Sequence, residues 1–434
     1  MKKIVLDYCV FSIILLTSVA TSSVADVKPG DTVTKDNTAQ AETLLTPATR
    51  WMVERGMPMQ IIETKKIQWP KAYQAATEKF AAQVKLAADG GEIFNYVAGL
   101  PFPTIDGHDP LAGFRVMWNM FFPPVDNVGL EYSTEVVNSQ GAVERTVETP
   151  FRAMKWLGRL YLDPKPVVPH NPPLHYTTLL GPLAFPRELK GLSLLYFRYL
   201  PRDKPDDGYM YIPERRKVVR FSEANRSDAF GGFDYDIDTF YGLNTKISNW
   251  TFRVLAEKEI LAVMHSGKYG DDSTWCAPRD GTHGILAALP CVSWEKRRVW
   301  VVEGLPTGYP REYAYSKRIV YVDQDTYRLV LEEIYDQQGE LWKVYLPCFF
   351  YSTKPYAGYP ANPLAGAKYN YEDEWFFVPN SVLVNIQESS ANITSAPPGN
   401  KKPAQWQPDW YFNENESGNV PDAYTVDYLT RSGR

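Results

Sequence analysis

The residues that could carry chemistry in this 434-residue chain are few and widely spaced. An acidic segment, Asp234-Tyr235-Asp236-Ile237-Asp238, places carboxylates at the first three ligand positions of a calcium-binding loop. The sixth position of that loop is Thr239 instead of glycine, and the twelfth is Thr245 instead of an acidic residue, so the pattern disfavours calcium. The same carboxylates remain candidates for acid/base work on a bound substrate.

The other ionisable residues form no recognisable catalytic constellation. Glu332 and Glu333 are adjacent on a strand-like run, so their side chains should point to opposite faces and cannot act together on a glycosidic bond. We expect one of them to be buried against an arginine of a neighbouring strand. The sequence has no nucleophile elbow, P-loop, dinucleotide fingerprint or HExxH motif, and its five histidines are scattered. It therefore predicts no cofactor and no metal site, and it nominates no catalytic residue.

The first residues resemble an export signal. Two lysines precede an apolar run, Tyr8–Leu16, and Ser23-Val24-Ala25 offers a small-residue cleavage site. The run is too short to span a bilayer, and Cys9 lies inside it, so no lipid anchor is expected. We predict a signal peptide over 1–25, a single exported domain over 26–434, and a periplasmic location.

Three cysteines remain after the predicted cleavage. In an oxidising compartment Cys276 and Cys291 are the natural disulfide pair, which leaves Cys348 free. A bridge from Cys348 to either of the others stays open. Zinc is a poor alternative because no Cys-x-x-Cys spacing occurs.

Composition limits the class of partner. The chain is 44% hydrophobic and 14% aromatic and has a formal net charge of −5, which indicates neither nucleic acid nor an anionic membrane surface. The aromatic excess is typical of large β-rich surfaces, either packed against protein or lining a ligand site.

The stretch from Cys291 to Tyr345 organises the predicted fold. It contains four alternating runs separated by turn signals, which indicate an antiparallel meander. Both faces of this meander carry large apolar groups, so we expect its second face to be covered by helices of the chain or by a bound apolar molecule. The predicted strands are Arg298–Glu303, Lys317–Asp323, Arg328–Tyr335 and Glu340–Tyr345.

Helical spacing is clearest just before the middle of the chain. Phe114, Met117, Trp118 and Phe121 form one apolar stripe of a helix predicted to begin at Asp109-Pro110. Strand-like runs elsewhere lack a βαβ rhythm, which indicates one α+β domain with a large antiparallel sheet and helices gathered on one side. Further predictions are helices at 48–55 and 69–79, a hairpin around 89–91, a polar loop over 391–407 and an extended segment over 410–429.

The basic run Arg215–Arg220 has two interpretations. On a strand it suits a charged sheet edge, which deters edge-to-edge pairing. The alternative is a docking surface for a partner.

Several blocks resemble signatures of an exported bacterial family catalogued as domain of unknown function 1329, which is outer-membrane lipoprotein-sorting-like. They recur in order over nearly all of the exported chain. The clearest are VAGLPFP (97–103), DPLAGFRVMWN (109–119), KRRVWVVE (296–303), YSKRIVYVD (315–323) and YDQQGELWKV (335–344).

The resemblance implies a Lol-carrier-like half-barrel, in which a strongly curved antiparallel sheet has a few helices against its concave, open side and encloses an apolar cavity. It further implies carriage of lipid, acyl chains or other hydrophobic cargo through the periplasm. An inner-membrane hydrophobe exporter and an outer-membrane protein are the implied partners. No catalytic residue comes with it.

The leading hypothesis is thus a periplasmic binding protein for a hydrophobic ligand. One alternative is an enzyme acting on a hydrophobic or aromatic compound, with Asp234 or Asp236 in its site. Another is an envelope assembly factor whose exposed aromatics dock a transporter or an outer-membrane channel. The residues predicted to line the cavity are Phe114, Met117, Trp118, Phe121, Trp300, Tyr321, Leu341 and Trp342.

Overall fold

One large sheet dominates the part of the chain that the computed structural model describes, namely residues 26–171, 173–221, 226–229, 231–265, 284–286, 289, 292–352, 375–395, 411–412 and 419–433. Within these residues sixteen strands join in the sheet and two form a separate hairpin. The helices are α1 Pro47–Glu54, α2 Lys71–Phe80, α3 Ala112–Phe121 and α4 Val426–Ser432. The strands are β1 Thr32–Val33, β2 Met59–Ile61, β3 Lys85–Leu86, β4 Ile93–Phe94, β5 Asn127–Val137, β6 Val143–Lys155, β7 Leu174–Leu180, β8 Ser193–Tyr199, β9 Asp207–Ile212, β10 Lys217–Arg220, β11 Trp250–Ala262, β12 Ser293–Pro306, β13 Tyr315–Asp323, β14 Leu329–Asp336, β15 Leu341–Ser352, β16 Trp375–Asn385, β17 Ser390–Ser395 and β18 Tyr411–Phe412.

The sheet is open and almost wholly antiparallel. Its order is β1-β2-β12-β13-β14-β15-β16-β17-β5-β6-β7-β8-β9-β10, with β11 paired to β12 and β18 to β5. Among the described strands only the short β2–β12 pairing is parallel. The predicted meander is confirmed as β12–β15, and the α+β fold class is confirmed with it. Lys217–Arg220 of the basic run form β10, which ends the described sheet as the charged-edge interpretation expects, whereas Arg215 and Arg216 lie in the turn before it.

The chain itself covers both faces of the meander. On the face that we call inner, Trp300, Val320 and Tyr345 pack in one core with α2 and α3. On the opposite, outer face, Tyr321 and Val344 pack in a second core with α1 and the segment before it. The bound apolar molecule that the sequence left open as a cover for the meander is therefore not needed there. Helix α1 also lies outside the group of helices expected on one side.

Three local predictions need correction. Helix α3 begins at Ala112, because the Asp109 carboxylate accepts a hydrogen bond from the Leu111 backbone N–H at 2.7 Å within the preceding turn. The polar segment around Asn392 is strand β17, which pairs with both β16 and β5. The expected extended terminus contains helix α4, whose Leu429 is buried in a core with β7–β9. In both latter cases tertiary pairing or packing overrides a weak local pattern.

The acidic segment anchors a long connection, residues 231–249, against the inner face; we call it the inner loop. The Oδ1 atom of fully buried Asp236 accepts from the backbone N–H groups of Asp238 and Thr239 at 2.9 Å each. Its Oδ2 accepts from the Tyr315 hydroxyl and lies 3.5 Å from Lys343 Nζ. Burial raises the pKa of Asp236, and the Lys343 ammonium opposes that effect.

The two flanking carboxylates have partners of their own. Asp234 accepts from Asn385 Nδ2 at 2.7 Å and from Ser390 Oγ at 2.8 Å. Asp238 accepts from Arg226 Nε at 2.7 Å, and both side chains are almost fully buried. In the described residues no group of three or more His, Cys, Asp or Glu is placed to hold a metal ion. The acidic segment is therefore an anchor for the inner loop.

The adjacent glutamates of β14 point to opposite faces, as predicted. Glu332 faces inward and pairs with Arg318 of β13 at 2.9 Å, both side chains being 0% exposed. Glu333 faces outward and accepts from the backbone N–H of Ala48 in the first turn of α1 at 2.8 Å. One glutamate thus supports the inner core and the other fixes α1 on the outer face.

We predict that Gly113→Ala destabilises the fold. A Cβ at Gly113 would lie 2.6 Å from the backbone carbonyl of Phe252 in β11, so α3 would have to move away from the sheet. Helix propensity alone predicts a gain of about 1 kcal/mol. We expect a net loss of about 1 to 3 kcal/mol in the free energy of unfolding, measured by urea denaturation. A gain would contradict this packing.

A second prediction concerns the buried pair. Arg318→Met should cost about 3 to 5 kcal/mol in the free energy of unfolding, because Glu332 would keep an uncompensated buried charge. The double variant Arg318→Met, Glu332→Met should recover much of that loss. As a control, Arg253→Met removes the β11–β12 pair with Glu303, in which Arg253 is 70% exposed; this should cost less than about 1 kcal/mol. Equal losses at the two sites would contradict the assignment.

Candidate functional site

An open cleft of about 360 Å³ lies on the inner face between strands β5–β7 and strands β14–β15. This volume falls within the range of small-molecule sites in proteins. The two walls are not neighbours in the sheet, since β16, β17 and β5 separate β15 from β6. The curvature of the sheet therefore creates the cleft.

Alternation along β6 supplies the first wall. Phe151, Ala153 and Lys155 all line the cleft, since every second residue of a strand faces the same side. Ala153 is opposite Val128 of β5 and Thr178 of β7 in the register, and both also line the cleft. Small and medium side chains in this row leave the floor of the cleft open.

The second wall and the rim are mainly aromatic and aliphatic. The wall comes from β14 and the alternating positions of β15, and the rim from the C-terminal end of α3 and from the inner loop. The residues concerned are Leu329, Tyr345, Pro347 and Phe349 in the wall, and Met120, Phe121, Phe240, Tyr241 and Leu243 in the rim.

The inner loop separates this cleft from a smaller hollow of about 50 Å³ beside it. Phe240, Tyr241 and Tyr345 line both spaces. Tyr241 has φ of 56°, a conformation uncommon outside glycine, and the residue is 47% exposed. The Phe240-Tyr241 pair thus forms the partition between the two apolar spaces.

Polar groups gather where α3 ends and β5 begins. Asp126, Lys155, His175 and Arg328 line the cleft there. Burial lowers the pKa of His175 well below its ordinary value, so its imidazole is neutral at neutral pH. Burial also lowers the pKa of Lys155 to about 8, so most of this lysine is still protonated at neutral pH.

The structure brings only some of the predicted lining residues together. Phe121 lines the cleft. The others on the inner side belong to the core between α3 and the sheet: Phe114, Met117, Trp118, Trp300 and Trp342. Tyr321 and Leu341 pack with the outer core. Tyr321 pairs with Val301, the neighbour of Trp300 on β12, and therefore points to the face opposite Trp300. Two of the eight residues therefore lie on the face away from the cleft.

Sequence reasoning missed the residues that form most of the cleft. Phe151, Ala153 and Lys155 fall in a region predicted only as alternating strands, and this alternation was the signal available. Asp234 and Asp236, named for the enzymatic alternative, anchor the inner loop and are absent from the described cleft lining.

Most of the predictions on the cysteines and the N-terminus concern residues outside the described part of the chain. Cys276, Cys291 and the predicted signal peptide over 1–25 lie outside them. Cys348 is a buried free thiol, and burial raises its pKa to about 12. Within the described residues, no helix combines the length and apolar character needed to cross a membrane.

Comparison with solved structures gives three matches at low sequence identity. A domain from Vibrio parahaemolyticus described as an outer membrane lipoprotein-sorting protein domain has a TM-score of 0.44 at 17% identity. A DUF1329 family protein from Desulfovibrio piger has a TM-score of 0.45 at 13% identity, and a LolA superfamily protein from Nitrosomonas europaea has 0.37 at 12%. Each match covers 70% of this chain and 92% of the other.

Sequence comparison identifies the family to which the chain belongs. An uncharacterized protein of Pseudomonas aeruginosa is 26% identical over 333 residues, which cover 74% of this chain and 69% of that protein. Residues 32–407 match the family described as protein of unknown function, DUF1329. Because this match spans most of the chain and confirms the resemblance seen in the sequence blocks, the chain belongs to the DUF1329 family.

Proposed function

We propose that this protein binds a hydrophobic molecule in the inner cleft and carries it through the periplasm. The observation that supports the proposal is the open, mainly apolar cleft of about 360 Å³. Apolar surface in contact with water is unfavourable, and each buried methylene of a ligand contributes about 0.8 kcal/mol. Phe151, Leu329 and Phe349 offer such contacts on both walls.

The architecture suits reversible carriage. The meander core is sealed by the chain, so binding need not disturb it. The cleft opens to solvent, and its rim is formed by the end of α3 and by the inner loop. A ligand can therefore enter and leave at the rim while the ion pairs beneath the inner loop stay intact.

The location and partners form the finer part of the proposal. The basic start, short apolar run Tyr8–Leu16 and small-residue site support export to the periplasm. There the cargo, a lipid, acyl chain or lipoprotein-like molecule, would pass between an inner-membrane hydrophobe exporter and an outer-membrane protein. Purification of the carrier together with cross-linked envelope proteins would test that part separately.

Filling the cleft should abolish binding without unfolding the protein. Ala153→Phe places a ring in the floor of the cleft, where Ala153 is half-buried. We expect the variant to lose at least about tenfold in affinity for an apolar fluorescent probe, which corresponds to about 1.4 kcal/mol. Fluorescence titration of delipidated protein measures this affinity.

The matched control is Ala256→Phe, the same substitution on the exposed edge strand β11. It should leave probe affinity unchanged. The proposal fails if delipidated wild-type protein does not bind the probe, or if both variants bind it as the wild type does. Circular dichroism and urea unfolding of both variants verify that the fold is retained.

A further inference from the structure

Charged side chains line one end of the cleft. Its described lining contains two basic side chains, Lys155 and Arg328, and one carboxylate, Asp126. The Asp126 carboxylate already accepts hydrogen bonds from the backbone N–H groups of residues 160–162 at 2.6 to 3.0 Å. Asp126 thus holds the chain turn after β6, and Lys155 and Arg328 border the same end of the cleft.

Lys155 is the more confined of the two cations. Its side chain belongs to a residue only 5% exposed, and its Nζ donates to the carbonyl oxygen of Pro123 at 2.7 Å. An ammonium group has three donors, and a buried charge is costly unless it is paired. Among the described residues, no carboxylate oxygen lies within 4 Å of Lys155 Nζ, and its hydrogen bond to Pro123 leaves further donors on the ammonium group.

Other charged groups lie close to Lys155. The Arg159 guanidinium donates to the backbone carbonyl of Lys155 at 2.7 Å. Burial is the main cause that lowers the pKa of Lys155. The Asp126 carboxylate opposes this effect, and the Arg328 and Arg159 guanidinium groups lower the pKa further. His175 is neutral at neutral pH and therefore adds no charge to the site. The site therefore places a buried ammonium group, with donors beyond its bond to Pro123, beside an apolar cleft.

We infer that the ligand is an amphipath whose anionic head group, a carboxylate or a phosphate, binds Lys155 while its apolar chain lies along the aromatic walls. The inference rests on the proposed function and specifies its ligand class. A neutral hydrophobe would leave donors of Lys155 without acceptors, and a cationic amphiphile would meet like charge. Phe151 and Ala153 continue the same face of β6 away from Lys155, so the chain would follow that strand.

The first experiment compares ligands that share one chain. Palmitate, hexadecyl phosphate and hexadecanol are titrated, below their aggregation concentrations, against delipidated protein carrying an apolar fluorescent probe. Charge-assisted hydrogen bonds predict that one or both anionic ligands bind about tenfold or more tightly than the alcohol. The carboxylate and phosphate arms show which head group is preferred.

The second experiment removes the charge. Lys155→Met should bring the affinity of the preferred anion down to that of hexadecanol and leave hexadecanol binding unchanged. Lys155→Arg should retain a preference for the anion. The control Lys217→Met, on the exposed edge strand β10, makes the same change in net charge and should preserve the full preference.

The outcomes distinguish failure of the head-group inference from failure of the proposed carrier function. If hexadecanol binds as tightly as both anions, or if Lys155→Met keeps the preference, the head-group inference is wrong while the hydrophobe carrier stands. If none of the three ligands and no apolar probe binds, the proposed function falls as well. Should Lys155→Met fail to fold, the wild-type ligand series and Lys155→Arg still decide the matter.

Discussion

A single open sheet that curls on itself has no second sheet to cover its inner face, and this constraint governs the rest of the structure. Over the meander, α2 and α3 supply an apolar cover. Beyond the meander, the inner loop fills the concavity of the sheet. The backbone N–H and C=O groups of a loop need hydrogen-bond partners, which an apolar face cannot provide. The cleft is the part of the inner face that neither cover reaches.

Buried charges fix the cover in place. Asp236 with Lys343, Asp238 with Arg226, and Glu332 with Arg318 tie the inner loop and strands together at fully buried sites. Pairs of this kind add little net stability over apolar packing, but separating one is costly. They therefore select a single position for the inner loop, and with it the position of the cleft rim. Lys155 differs because it borders the cleft and its ammonium bonds to a carbonyl oxygen.

Local pattern predicted the elements whose periodicity is strong. The β12–β15 meander follows from alternation and α3 from helical spacing, while the Thr46-Pro47 start and Gly56 indicate α1. Strand β17 reads as polar loop because it is short and rich in Ser, Asn and Thr, and its pairing with β5 gives it its structure. Helix α4 spans only seven residues and depends on packing against β8–β10.

The candidate site was harder to predict than the fold. Large aromatic side chains led to the prediction that Trp300 and Trp118 line the cavity, but both belong to a closed core. The cleft joins Phe151 and Lys155 to Tyr345, residues far apart in the chain and on strands that do not pair. Only the curvature of the sheet brings these groups together, and periodicity within a strand carries no information on curvature. The same holds for the faces of Tyr321 and Leu341, which depend on register.

Native mass spectrometry of the protein purified without detergent tests most directly whether the cleft is a carrier site. We predict a species heavier than the polypeptide by the mass of one hydrophobic molecule, which organic extraction removes and which Ala153→Phe prevents. Detection of the polypeptide mass alone, together with failure of delipidated protein to take up any apolar ligand, would contradict a carrier role.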